Sequence, residues 1–489
     1  MRKLKRVMKR NFKILAVVLL MAAAACSFTT KTFSDPNKDK LLIDLITYVL
    51  NQGHYDAKDI NDSFSEKVYD NYLENLDGAK RFFYKKDVEE FSAYRDKIDD
   101  QIEEKQIEFF DLTYNRLIER ANEAKALYKD ILAEPFDFAE NEEINTDYDK
   151  LDFPANKEEM RDRWKKQLKF NTLINYYDLK QDEQTKKADS SEYVMKTDAE
   201  LEKKAREATK SNLDNYFDFT DDLEREDYFS LYVNAIVEEF DPHTYYFAPQ
   251  DKDRFDIAMS GKLEGIGARL MKDSDNITIS EVISGGPAWR SDELGEGDVI
   301  LKVKQEDQNE GVSIVGMKLD DAVDLIKGPK GTKVTLTVRK KLMGNIEDVT
   351  LTRDVIEIEE TYAKSSMVEK DGRRFGVINL PKFYFDMEDY NQRNAASDIK
   401  KDIIRLKKEG MEGLVLDLRN NGGGSLKTVV DIAGMFIKDG PIVQVKSNGE
   451  RKEVLEDEDP SIVWDGPLVI MVNELSASAS EILAAAMQD

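Results

Sequence analysis

The chain has 489 residues, enough for about three domains that each bury a core. Its 72 basic and 98 acidic residues leave a formal charge of −26, and the basic excess is confined to the first thirteen positions, a balance that disfavours a nucleic-acid partner needing a basic, counterion-releasing patch. A single cysteine excludes an intramolecular disulfide, and two histidines without an H-E-x-x-H pattern argue against a zinc hydrolase, so no metal and no cofactor is expected.

The chain opens as an export signal. "MRKLKRVMKRNFK" supplies seven positive charges, and Ile14 to Ala25 is an uninterrupted apolar run too short to span a bilayer comfortably. The run ends in "MAAAAC", where small residues precede Cys26 as in a bacterial lipobox, although Ala23 stands where leucine is commoner. Residues 1–26 are therefore expected to be a signal peptide with lipid attachment at Cys26, which predicts a periplasmic, membrane-anchored protein. Ordinary cleavage near Ala25 is the alternative.

Residues 27–240 are expected to form a helical domain. "SFSEKVYDNYLENLD" puts Phe64, Val68, Tyr69, Tyr72, Leu73 and Leu76 on one face, and Ser63 with Glu66 has capping-box spacing. "KQIEFFDLTYNRLIERANEAKALY" repeats the pattern, whereas acidic stretches around 139–150 and 181–200 read as loops or linkers. A turn-rich connecting segment, 241–257, carries "DPHTYYFAPQD", in which His243 reads as a turn residue. From 258 to 342 the runs "NITISEVI", "GDVILKVK" and "TKVTLTVRK" predict a compact, mostly β module, with "LDDAVDLIK" a helix between the second and third.

In 343–489, "RFGVINL", "EGLVLDL" and "PLVIMV" alternate with helical stretches, which suggests an α/β layer of buried parallel strands. Two loops follow such strands, "DLRNNGGGSL" and "NELSASASE", and loops at the carboxyl ends of parallel strands are where sites assemble. Gly422, Gly423 and Gly424 would let amides face an oxyanion, or simply make a tight turn. Ser478 with Glu481 has capping-box spacing, so that hydroxyl could merely cap its own helix. At a helix start beside a glycine loop, however, a serine meets donors for developing negative charge. Spacing alone does not choose among Ser476, Ser478 and Ser480. Neither His54 nor His243 lies near a nucleophile-elbow pattern. A lysine base would need its amine, ordinarily near pKa ~10.4, brought toward ~7 by desolvation, at about 4.6 kcal/mol. Exposed lysines such as Lys427 or Lys438 do not qualify.

On these residues the sequence resembles the bacterial tail-specific, or carboxy-terminal processing, proteases over nearly the whole mature chain. "SASASEILAAAMQD" is similar to the family's nucleophile segment and "GLVLDLRNNGGGSL" to its oxyanion loop. "LEGIGARL", "GGPA" and "LDDAVDLIKGPKG" are similar to its PDZ domain, and "DPHTYYFAPQD" to the stretch before it. The resemblance implies a multidomain α+β protein: a helical N-terminal domain, a PDZ domain, and an α/β, crotonase-like serine protease core. It implies Ser478 as nucleophile, with oxyanion amides from Ala479 and from Gly423 or Gly424. It implies capture of proteins with apolar, unstructured C-termini by the PDZ backbone at Gly265, Ile266, Gly267, Ala268 and Leu270, against a helix carrying Leu319, Val323 and Ile326. The family's base is a lysine, supported by a glutamine, on a segment after the nucleophile helix. Neither lies within these residues, so a truncated core and an inactive fragment are expected. A PDZ scaffold that binds tails without cutting, and an unrelated acyl-transfer hydrolase with a crotonase-like core, are the rival readings.

Overall fold

The computed structural model describes residues 36–489 apart from 447, 448, 450 and 458. The expected signal segment and Cys26 lie outside the described residues. The described residues divide into two compact units, 36–52, 58–210 and 223–245 in one and 53–57, 211–222 and 246–489 in the other.

The first unit is helical. In the helix Asp62–Asp77 all six apolar residues of the expected face are buried. They meet the helices Glu108–Ile131 and Arg225–Val237 in a cluster of rings, Tyr72 lying 5.0 Å from Tyr232 and Phe110 5.1 Å from Phe229 by centroids. Aromatic side chains bury large apolar areas, and edge-to-face pairs add about 0.5–1.5 kcal/mol beyond that burial. Two expectations are corrected here. The helix cap is Asn61, whose side chain accepts from Phe64 N–H, so Ser63 sits inside the first turn rather than at the start. The acidic stretch from 181 is not a loop throughout, because the helix Lys157–Asp189 continues into it. The chain returning after that helix donates to buried Glu183 from Tyr193 Oη, Lys196 N and Lys196 Nζ, which satisfies the carboxylate and lets the helix run on.

The second unit holds the β module and the α/β layer. The β module is a sheet ordered β2 (Ala268–Asp273), β3 (Asn276–Val282), β4 (Val299–Gln305), β6 (Lys333–Arg339), β7 (Ile346–Thr352), with short β5 (Val312–Ser313) on β4. The three expected strands are β3, β4 and β6, and the expected helix is Leu319–Ile326, packed against β2. Ile277, Ile279, Ile300, Leu336 and Val338 close its core from alternate positions. Two further strands, β1 (Lys262–Gly265) and β8 (Asp354–Glu357), pair antiparallel where the chain enters and leaves the module.

The α/β layer is a four-stranded sheet ordered β14 (Leu468–Met471), β11 (Gly413–Asp417), β10 (Arg373–Asn379), β9 (Lys364–Lys370). The pairs β10–β11 and β11–β14 are parallel as expected, while β9 adds an antiparallel strand that the sequence reading missed. β14 is an outer strand among the described residues, so "PLVIMV" is not a fully buried run, and Val469 is 56% exposed. Helices Ala395–Lys408, Leu426–Ala433 and Ala479–Gln488 complete the core around Ile399, Ile403, Leu414, Leu416, Val429 and Leu483. The first of these starts only after Asn394, whose side chain caps it at Ser397 N.

Candidate active site

Because β10, β11 and β14 are parallel and in register through Asn379, Asp417 and Met471, their carboxyl ends emerge side by side. The chain after β11 runs Leu418 to Ser425, and the chain after β14 runs through to Ser478. These two loops are laced together. Leu418 N donates to Met471 O at 2.9 Å, Asn420 N to Asn473 Oδ1 at 2.8 Å, and Asn473 Nδ2 to Asn420 Oδ1 at 2.8 Å. The Arg419 guanidinium grips Asp417 at 2.9 and 2.8 Å and holds that carboxyl below its usual range.

The structure separates the three serines that spacing left open. Ser476 Oγ donates to Leu418 O at 2.8 Å, so its hydroxyl ties loop to loop. Ser480 is fully buried and donates to Asn421 O at 2.8 Å. Ser478 is exposed, with φ 55° and ψ −114°, and pairs with Glu481 in the capping box that the spacing allows. Its amide is held by Glu481 Oε2 at 2.6 Å. A non-glycine residue in that conformation costs of order 1–3 kcal/mol and persists only where its surroundings enforce it. The strained turn presents the Ser478 hydroxyl at the start of the helix Ala479–Gln488.

The glycine loop lies against this turn. A Cβ on Gly423 would stand 2.8 Å from Ser478 Cβ and 3.2 Å from Ala479 N, and φ there is 109°. A Cβ on Gly424 (φ 141°) would overlap Phe383 O. Phe383 in turn donates to Gly423 O at 2.9 Å and accepts from Ser425 N at 3.0 Å. Only glycine fits both places. The two glycines are not equivalent, because Gly423 N donates to Asn421 Oδ1 at 2.9 Å. Among the described residues the N–H groups of Gly424 and Ala479 meet no acceptor. Of the expected oxyanion amides, Gly423 is thus engaged and the other two are open.

In the β module, Gly265 ends β1, and the amides of Ile266 and Gly267 likewise meet no acceptor among the described residues, while their carbonyls accept from Ala288 N and Ile283 N. β2, carrying Ala268 and Leu270, has β3 as its one strand partner among the described residues. Ile266 and Ile326 are buried in the module's own core, whereas Ala268 and Leu270 of β2 and Leu319 and Val323 of the helix stay partly exposed. His243 sits in a turn in which Asp241 Oδ1 accepts from His243 N at 2.6 Å and Thr244 N at 3.1 Å. No group of ligating side chains that could hold a metal is present among the described residues. Sequence reasoning missed Asn421 and Phe383. An Asn two residues before a glycine is a local turn signal that could have flagged the first, whereas nothing local flags the second.

Family models match this chain in the same order as its parts: the tail specific protease N-terminal domain over 46–250, the PDZ domain over 255–339, and peptidase family S41 over 374–489. In this order of domains the chain is similar to the tail-specific proteases. The tail-specific protease of Haemophilus influenzae is 34% identical over 442 residues, covering 90% of this chain and 59% of that protein. The carboxy-terminal processing protease CtpA of Bacillus subtilis is 33% identical over 287 residues, covering 58% of this chain and 56% of that protein. The chain thus spans somewhat more than half the length of these family members. A solved PDZ domain of the carboxy-terminal protease from Vibrio cholerae, in complex with peptide, is 47% identical, covering 20% of this chain and 98% of that chain at a TM-score of 0.19. By the family models the β module is a PDZ domain and the α/β layer an S41 peptidase domain.

Proposed function

We propose that this protein is a serine endopeptidase of the tail-specific type, which captures proteins by apolar, unstructured C-termini and cleaves them through an acyl-enzyme on Ser478. The observation that carries the reading is the strained, exposed Ser478 packed on Gly423, with the Gly424 and Ala479 amides open beside it. Ser478 Oγ attacks the scissile carbonyl as its proton passes to a lysine amine. The oxyanion accepts from Gly424 and Ala479 N–H, an interaction for which losing one donor typically costs about 2.7–4 kcal/mol. Collapse expels the leaving amine, which takes the proton from lysine. The neutral lysine then draws a proton from water, and the second collapse frees the new carboxyl end and returns the proton to Ser478. In this reading that lysine lies C-terminal to the nucleophile helix. Lys427 does not fill the role, being paired with Asp431 and lying over the Tyr390 ring.

The PDZ domain supplies the substrate logic. The open amides of Ile266 and Gly267 receive a terminal carboxylate, and the tail adds as a strand beside β2, its apolar side chains meeting Leu319 and Val323. Holding the tail there raises the substrate concentration at Ser478. Lipid attachment at Cys26 would confine the protein to the cell envelope, so that its substrates are envelope proteins; loss of the membrane-bound fraction in Cys26→Ala is the expected sign.

The test is to incubate the full-length protein with an unfolded protein ending in apolar residues. Cleavage abolished by Ser478→Ala supports the reading. Tight tail binding without cleavage would make the protein a PDZ scaffold, and tail-independent hydrolysis of small esters would point to another acyl-transfer hydrolase.

A further inference from the structure

We infer that Asn421 is a positioning residue that sets both the Ser478 turn and the oxyanion loop, an inference that rests on the peptidase reading above. Asn421 is fully buried, and every polar group it carries is used. Its Nδ2 donates to Leu380 O at 2.8 Å, just past the end of β10. Its Oδ1 accepts from Gly423 N at 2.9 Å, and its own N donates to Leu418 O at 3.1 Å. Its carbonyl accepts twice, from Ala477 N at 3.1 Å and from Ser480 Oγ at 2.8 Å.

The two residues held by that carbonyl bracket Ser478 on either side. The side chain, anchored on the strand exit, fixes the carbonyl, and the carbonyl fixes both ends of the strained turn. A positive φ at a serine survives only under such over-determination, and Asn421 supplies it from the buried side. The same side chain also decides which loop amide is open. By taking the Gly423 N–H it leaves the next amide, that of Gly424, as the donor facing outward. Asn421 touches neither substrate nor the reacting atoms; it acts through Ser478 and Gly424.

The test compares the full-length wild type with Asn421→Ala and Asn421→Asp, the latter keeping an acceptor for Gly423 N while losing the donor to Leu380 O. With Asn421→Ala, kcat per folded molecule is expected to fall about 10²-fold, while KM for a tailed substrate and tail affinity stay within about three-fold, because misplacement by about 1 Å costs that much in rate. Asn421→Asp is expected to fall between wild type and Asn421→Ala. A residue that only stabilises the fold would lower the melting temperature and leave kcat per folded molecule unchanged. Should Asn421→Ala not fold, Asn421→Ser carries the same readouts. A folded variant with wild-type kcat would overturn the inference. So would a crystal structure of the variant with Ser478 still near φ 55° and Gly423 still packed on it. That crystallographic arm stands even if Ser478→Ala cleaves like wild type, an outcome that would sink the peptidase reading instead.

Discussion

Two glycine-bearing loops of this chain each leave a pair of amides open, and they differ in how they are held. In the PDZ domain, Ile266 and Gly267 open at the start of β2, and among the described residues their loop is held by their own carbonyl contacts to Ala288 N and Ile283 N. In the S41 domain, Gly424 and Ala479 sit within a lattice of loop-to-loop bonds through Leu418, Asn420, Asn421, Asn473, Ser476 and Ser480. The first pair suits a full carboxylate in its ground state, for which a few tenths of an ångström matter little. The second suits a charge that exists only as the reaction passes, where donors must already be in place. On the proposed function the same residue chemistry would serve recognition in one place and rate in the other, with the surrounding hydrogen bonds making the difference.

That contrast can be broken by variants that touch one loop and spare the other. The largest effect is expected for Ser478→Ala, which should lower the cleavage rate on the order of 10⁶-fold, as loss of a serine nucleophile does, while tail binding measured by fluorescence anisotropy is unchanged. Gly424→Ala comes next. Its methyl would overlap Phe383 O, and a roughly 10²–10³-fold loss of kcat with unaltered tail affinity is expected; equal losses in both would mean that the two loops are not separate devices. Val323→Asp should do the reverse, weakening capture of an apolar tail roughly ten-fold, or about 1.4 kcal/mol, while short tail-less peptides are turned over at the wild-type rate. The smallest effect belongs to Ser480→Ala, which removes one of two donors to Asn421 O and should cost about 1 kcal/mol in urea unfolding with only a modest loss of kcat.

Much of this was legible in the sequence wherever one local pattern dominates. The apolar face of Asp62–Asp77, the strands β3, β4, β6, β10 and β11, and the two loops after β11 and β14 all follow from periodicity and turn residues. The rest depends on partners far along the chain. Glu183 reads as one more acidic loop residue until Lys196 and Tyr193 fold back on it. β9 is a short polar-rich run that becomes a strand by pairing with β10. Ser63 had the spacing of a cap, but Asn61 reaches the free amide first. At the site, spacing could not rank three serines, because what ranks them is which hydroxyls find a carbonyl in another loop. The turn signal at Asn421 gave no hint of its reach, since three of its five hydrogen bonds, to Leu380, Ala477 and Ser480, cross to residues outside its own loop.

The antiparallel ribbon of β1 and β8 makes the PDZ domain a cassette. Its last rung pairs Gly265 with Asp354, so everything from Ile266 to Arg353 hangs from one short stalk whose two strands are already neighbours. A tight turn joining those strands would excise the module without asking the peptidase layer to refold. On the proposed function Gly265 is also the first residue of the loop that would meet a tail's carboxylate, so a pull on a captured chain would be delivered straight into that stalk.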